Sequence, residues 1–179
     1  MITVWMGNHT LKQAEEGELY KQLAYIDEMT GLHNRSAYEE YLMENSKTDA
    51  ASYVLMMDLN NLKQCNDILG HRVGDDYIMK AAASIRKCLE PHGCCYRIGG
   101  DEFCVLIDDH NTCDISHLIS CLRKEEDVYN ASSRNIHLQI ACGYAVFDSR
   151  TDADLDALQK RADQNMYENK KQLKTFSYR

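Results

Sequence analysis

Two short apolar runs, Cys94 to Ile98 and Phe103 to Ile107, flank the tetrapeptide Gly99-Gly100-Asp101-Glu102. Strand-forming residues on both sides of a glycine-containing turn are the pattern of a β-hairpin, and a hairpin commits the chain to an antiparallel sheet. A third run, Tyr53-Val54-Leu55-Met56-Met57, is apolar without alternation and ends in Asp58. That pattern fits a strand buried on both faces with a carboxylate at its C-terminal end, so helices must cover both sides of the sheet.

The remaining segments supply those helices. The spacing of Leu11, Leu19, Leu23 and Ile26 predicts an amphipathic lead-in helix, although Gly17 weakens it by about 1 kcal/mol. A turn with Gly31 at positive φ precedes a helix from Ser36 to Asn45. Further helices are predicted from Asn60 to Leu69, stopping at Gly70, and from Gly74-Asp75 to Leu89, stopped by Pro91 and Gly93. A helix from Asp114 to Tyr129, a strand from Ile136 to Val146 with Gly143 as a bulge, and a helix from Asp154 to Gln172 complete the series. Met166 and Tyr167 fall on the buried stripe of that last helix. The order of elements is mixed α and β throughout. The expected division is a lead-in over residues 1–26 and one domain over 27–179, with no linker, repeat or low-complexity segment.

Composition excludes several functions. The 20 basic and 28 acidic residues leave a charge of −8, and no basic stripe exceeds two residues, so a nucleic-acid partner is not expected. No apolar run approaches the roughly 20 residues that span a bilayer, and no signal-peptide pattern opens the chain, so membrane contact by this segment is not expected. Eight cysteines occur without a Cys-x-x-Cys pair, several in apolar runs, and read as reduced core residues of a cytoplasmic protein.

Asp58 and Asp101-Glu102 are distant in sequence, yet adjacent strands of one sheet bring them to one edge. Clustered carboxylates repel unless a cation lies among them, and oxygen ligands with room for phosphate favour Mg2+. Ordinary hairpin chemistry is the competing reading, because Asp at strand ends and glycine pairs in turns are common. Gly99 and Gly100 remove side chains where a phosphate or base can approach the backbone.

The run Arg97-Ile98-Gly99-Gly100-Asp101-Glu102-Phe103 resembles the signature of the GGDEF domain, the diguanylate cyclase family, with all five signature letters present. Asp27 to Arg35 resembles the family block D-x-L-T-G-L-x-N-R, with Met29 for leucine. Asp58 through Lys63, Asn66-Asp67, and Gly70-His71 to Gly74-Asp75 resemble its D-x-D-x-F-K, N-D and G-H-x-x-G-D series. Ala162-Asp163, Met166-Tyr167 and Lys170 resemble its A-D-x-A-[LM]-Y-x-x-K helix.

The resemblance implies an α/β (α+β) fold, a central, mostly antiparallel sheet flanked by helices and similar to the palm of nucleotide cyclases, and a condensation of two GTP molecules into cyclic di-GMP with release of pyrophosphate. Each domain of a homodimer would hold one GTP. By the same resemblance Asp58, Glu102 and the carbonyl of Leu59 bind Mg2+, while Asp101 binds a second ion or assists removal of the hydroxyl proton. Asn66 and Asp75 match the guanine-reading pair, Asp75 accepting from guanine N1 and N2 hydrogens. Lys63, Lys170 and Lys174 match positions near the triphosphate, where Lys174 replaces the usual arginine and its bidentate geometry. Asn60 and Leu62 depart from the family's aspartate and phenylalanine, and Glu90-Pro91-His92-Gly93 replaces the Arg-x-x-Asp of its product-inhibition site. The alternative implied by those departures is a catalytically silent module that binds GTP and regulates a neighbouring domain. An upstream sensory or regulatory domain is expected, because two half-sites meet only on dimerisation.

Overall fold

A computed structural model describes residues 24–45, 53–108, 114–133 and 137–176, with side chains as far as Leu173. Most of the expected lead-in helix and Cys113 therefore lie outside the described residues. In chain order the elements are α1 (Arg35–Glu44), β1 (Tyr53–Leu59), α2 (Leu62–Leu69), α3 (His71–Leu89), β2 (Cys94–Arg97), β3 (Glu102–Ile107), α4 (Ile115–Ser132), β4 (Ile140–Val146) and α5 (Leu155–Phe176). The four strands form one sheet in the order β2-β3-β1-β4, antiparallel throughout, with the expected hairpin as its β2–β3 pair.

Strand parity divides the core. Leu55, Met57 and Leu59 face α3 and α4 with Tyr77, Ile85, Leu89 and Leu122. Val54 and Met56 face the opposite way, with Tyr38 of α1 and Leu158, Ala162 and Met166 of α5. The central strand is thus buried on both sides, the arrangement its unbroken apolar run predicts. Met166 joins the core, but Tyr167 is 50% exposed, because the helix turns it past the sheet toward solvent beside Lys171.

Several expectations need correction. Helix α3 begins at His71, so Gly74 and Asp75 lie within its first turns. The strand expected from Ile136 begins at Ile140; residues 137–139 run alongside without ladder pairing. Gly143 is not a bulge, since it pairs with Met56 in unbroken register. It is small because α5 crosses it: a methyl group there would lie 1.9 Å from Met166 N and 2.5 Å from Met166 Cα. The cysteines are not all reduced core residues. Cys88 and Cys121 form a disulfide joining α3 to α4, Cys94 is exposed, and only Cys65, Cys95, Cys104 and Cys142 are buried and free among the described residues. Two helices lying side by side bring that pair together, a proximity that chain spacing does not reveal.

Both outer strands are covered. The chain at His33 bridges to Tyr96, with His33 N donating to Cys95 O and Arg97 N to His33 O along β2. On β4, side chains take the place of a neighbouring strand. Ile140 N donates to Glu126 Oε1 and Cys142 N to Asn169 Oδ1, while Ile140 O accepts from Arg123, Tyr144 O from Asn165 and Val146 O from Arg161. Arg161, Asn165 and Asn169 recur every four residues along α5, a rise of about 6 Å that matches the two-residue repeat of a strand edge.

Candidate functional site

Asp58 lies directly opposite Glu102 across the antiparallel pair of β1 and β3. Opposed residues project to the same face with Cβ atoms about 4.5–5.5 Å apart, and parity places both carboxylates beneath α5. Glu102 consequently holds its proton above the usual carboxylate range: burial contributes most, followed by the charges of Asp101, Asp58 and Asp163, with Lys170 opposing them. The Lys170 ammonium lies 2.6 Å from Asp58 Oδ1. Its position follows from sequence through Gly143, which lets α5 settle onto β4 one turn before Lys170.

Two cavities meet at Lys170. The smaller, about 480 Å³, is lined by Asp58, Glu102, Asp163 and Lys170. The larger, about 1090 Å³, is lined by residues 59–63, Asp101, Lys170 and the 137–139 segment. Helix α2 opens onto this larger cavity with a bare N-terminus. Its N-cap, Asn61, adopts a left-handed conformation (φ 64°) and makes no capping bond with its side chain. First-turn N–H groups without an acceptor and the positive end of the helix favour an anion, and Lys63 and Lys170 add two cationic side chains. A third cavity, about 1160 Å³, runs along the outer edge of β4 and contains none of the site residues expected from sequence.

Helix α2 approaches α3 closely where the Asn66 side chain meets Gly74. A methyl group on Gly74 would fall 1.8 Å from Asn66 Oδ1, so only glycine lets Asn66 rest there, one residue from Asp75. Neither residue lines the two cavities that meet at Lys170. Gly99 leaves space for the Glu102 carboxylate, since a Cβ there would stand 2.4 Å from Oε2; Gly100 has nothing within 4 Å of that position. Leu59 N donates to Asp101 O at 2.9 Å, which ties the hairpin tip to the end of β1. The side chain of Lys174 lies outside the described residues.

Sequence reasoning missed three contributors. Asp163 adds a carboxylate facing Glu102, and Asn61 supplies the backbone twist that leaves the start of α2 bare. The third is the tether of the hairpin: Arg97 bonds Asp27 Oδ1 at 3.1 Å through Nη1 and Gly100 O at 2.8 Å through Nη2. Burial works against the Asp27 charge, but hydrogen bonds from Thr30 and then Arg97 outweigh it and hold the carboxyl below its usual range. The block from Asp27 to Arg35 was legible as a motif; its role as an anchor for Arg97 was not.

The donor set at the sheet end suits a hard divalent ion. Among the described residues no three His, Cys, Asp or Glu side chains form a ready cage. Two opposed carboxylates with a phosphate-accepting cavity alongside correspond to the way Mg2+ is held, by one or two carboxylates with substrate oxygens completing its shell.

An antiparallel α+β sheet with helices on both faces and its acidic residues at the end of the central strand is the fold of the nucleotide-cyclase palm. The family described as "Diguanylate cyclase, GGDEF domain" matches residues 24–175, and the chain belongs to the GGDEF family. It is 33% identical over 168 residues to the diguanylate cyclase DgcN of Escherichia coli K12, covering 89% of this chain and 40% of that protein. It is 31% identical over 140 residues to the cyclic di-GMP phosphodiesterase PdeB of Shewanella oneidensis, covering 76% of this chain and 16% of that protein. The chain therefore spans well under half of either relative. Among solved structures, the GGDEF domain of YfiN (TpbB) from Pseudomonas aeruginosa aligns with a TM-score of 0.70 at 28% identity, over 82% of this chain and 89% of that one. The coiled coil and GGDEF domain of DgcB from Caulobacter crescentus, in complex with c-di-GMP, aligns with a TM-score of 0.73 at 21% identity, over 92% and 90% of the two chains.

Proposed function

We propose that this domain is one half of a diguanylate cyclase, binding one GTP and condensing it with a second GTP held by another copy. The observation that carries the reading is the in-register pairing of Asp58 with Glu102 beside a cavity supplied with Lys63, Lys170 and an uncapped helix start. Mg2+ held by Asp58, Glu102 and the Leu59 carbonyl would offset the triphosphate charge and polarise the α-phosphate. The α2 N-terminus, Lys63 and Lys170 bind and orient the phosphates; Lys170 exchanges its contact with Asp58 for a phosphate oxygen when substrate enters. Lys174 is assigned to the triphosphate from its match to the family motif alone. Asn66 and Asp75 read the guanine edge, and Asp75 disfavours adenine because it offers only acceptors to the base. Gly99 and Gly100 admit the nucleotide to the hairpin backbone, and Asp101 binds a second ion or takes the proton of the attacking 3′-hydroxyl. Juxtaposition of two nucleotides by two copies supplies most of the acceleration.

The test is product formation by a dimer enforced with a fused coiled coil, given GTP and Mg2+. Wild type makes cyclic di-GMP, and Glu102→Gln reduces synthesis to background while retaining the melting transition. An enforced wild-type dimer that binds GTP without turnover would instead select the silent regulatory module, which the departures at Asn60 and Leu62 favour.

A further inference from the structure

The wall of the larger cavity opposite α2 is formed by His137, Leu138 and Gln139, a segment no motif singled out. It is extended, with Leu138 buried in the core at 1% exposure and the two polar neighbours on the other side, both lining the cavity. Side chains of α3 and α4 and the backbone of Asn60 fix it. The Tyr77 hydroxyl lies 2.9 Å from Asn60 O and 3.2 Å from His137 O, and accepts from Gln139 N at 3.1 Å. Asn130 accepts from Leu138 N at 2.6 Å and donates to Leu138 O at 2.9 Å. Asn60 N donates to Gln139 O at 2.9 Å. Such a density of bonds on an unpaired segment holds its outward side chains as rigidly as a strand would.

Asn60 determines how Gln139 presents itself. Buried at 1% exposure, it donates through Nδ2 to Gln139 Oε1 at 3.0 Å. With its carbonyl oxygen engaged, Gln139 keeps its amide hydrogens for donation, and it lines the cavity shared with Lys63 and Lys170. An aspartate at residue 60 would accept from that amide and turn the oxygen outward.

We propose that the 137–139 segment is a polyphosphate-binding wall: Gln139 and His137 donate to the β- and γ-phosphoryl oxygens of the nucleotide, and Asn60 is the positioning residue that aims Gln139. The proposal rests on the nucleotide-binding reading above and gives a purpose to a departure that otherwise only removes a charge.

Calorimetric titration of the full chain with GTP, GMP and inorganic tripolyphosphate in Mg2+ buffer tests it. Gln139→Leu and His137→Ala should each weaken GTP and tripolyphosphate by about tenfold, the value of a hydrogen bond to a charged group, and leave GMP within about twofold. Asn60→Asp should weaken GTP relative to GMP, and most of that effect should vanish in the Gln139→Leu background, because the two act through one contact. Equal losses for GTP and GMP, no loss in either wall variant, or an undiminished Asn60→Asp effect without Gln139 would overturn the proposal. His137→Ala alters an exposed side chain and so remains informative if a Gln139 variant fails to fold. If wild type ignores guanine nucleotides but binds tripolyphosphate through these residues, the wall stands and the GTP reading falls; if it binds neither, both fall.

Discussion

Replacing Gly143 by alanine tests the packing that brings α5 over the sheet. On an ordinary strand this change stabilises by about 0.5–1 kcal/mol, because alanine loses less backbone freedom on folding. Here the added methyl group would lie 1.9 Å from Met166 N and 2.5 Å from both Asn165 C and Met166 Cα. All three are main-chain atoms of a helix, so no rotamer change relieves the overlap. Restoring contact near 3.4 Å requires α5 to retreat by roughly 1.5 Å, and overpacking of this kind costs about 1–3 kcal/mol. At about 2–4 °C per kcal/mol, Tm should fall by roughly 2–12 °C. The same retreat draws Lys170 back from the cavity it lines, so GTP affinity should fall as well. Thermal and urea melts read the first effect and calorimetry the second. Gly100→Ala, with nothing within 4 Å of the new methyl, is the stability control and should leave Tm within about 1 °C. A Gly143→Ala protein as stable as wild type would refute the account of why α5 sits where it does.

Three further outcomes follow from the site. Because Glu102 has a raised pKa, its contribution to stability is present below the ordinary carboxylate value and is lost as pH rises through the folded value. Glu102→Gln should therefore raise Tm at pH 7 in metal-free buffer, and the gain should disappear near pH 4; an equal gain at both pH values would contradict the charge argument. Gly74→Ala should displace Asn66 and weaken GTP by roughly 3–10-fold, the value of one lost hydrogen bond, in a calorimetric titration. Asp27→Ala should destabilise by about 1–3 kcal/mol through the unpaired Arg97, as read in urea melts. The lowered Asp27 pKa makes that difference present above the usual carboxylate value, shrinking as pH falls through the folded value.

Much of the fold was legible because periodicity and punctuation agreed. The hairpin around Gly99-Gly100, the doubly buried run to Asp58 and the stop at Gly70 all stand as local patterns require. What local pattern could not convey was distance closed by tertiary packing. Gly143 read as a bulge because a glycine within a strand signals either a kink or a close neighbour, and only the position of α5 decides which. Cys88 and Cys121 meet across two helices whose facing sides no spacing rule fixes. The facing of Asp58 and Glu102 was anticipated, since adjacent strands of one sheet oppose their ends, but Asp163 and the Asp27 anchor of Arg97 arrive from remote helices and turns. Asn60 read as a charge lost near a metal; the structure instead shows its amide engaged with Gln139.

The side-chain ladder from Arg161, Asn165 and Asn169 bears on how copies of this domain can aggregate. An open strand invites another chain to polymerise onto it by main-chain pairing, the route to fibrils and exchanged strands. Here the N–H groups of Ile140 and Cys142 and the carbonyls of Ile140, Tyr144 and Val146 on β4 are already engaged by amide, carboxylate and guanidinium groups, and His33 blunts the opposite border. Growth of the sheet from molecule to molecule is thereby discouraged, leaving self-association to occur across surfaces that can come apart again.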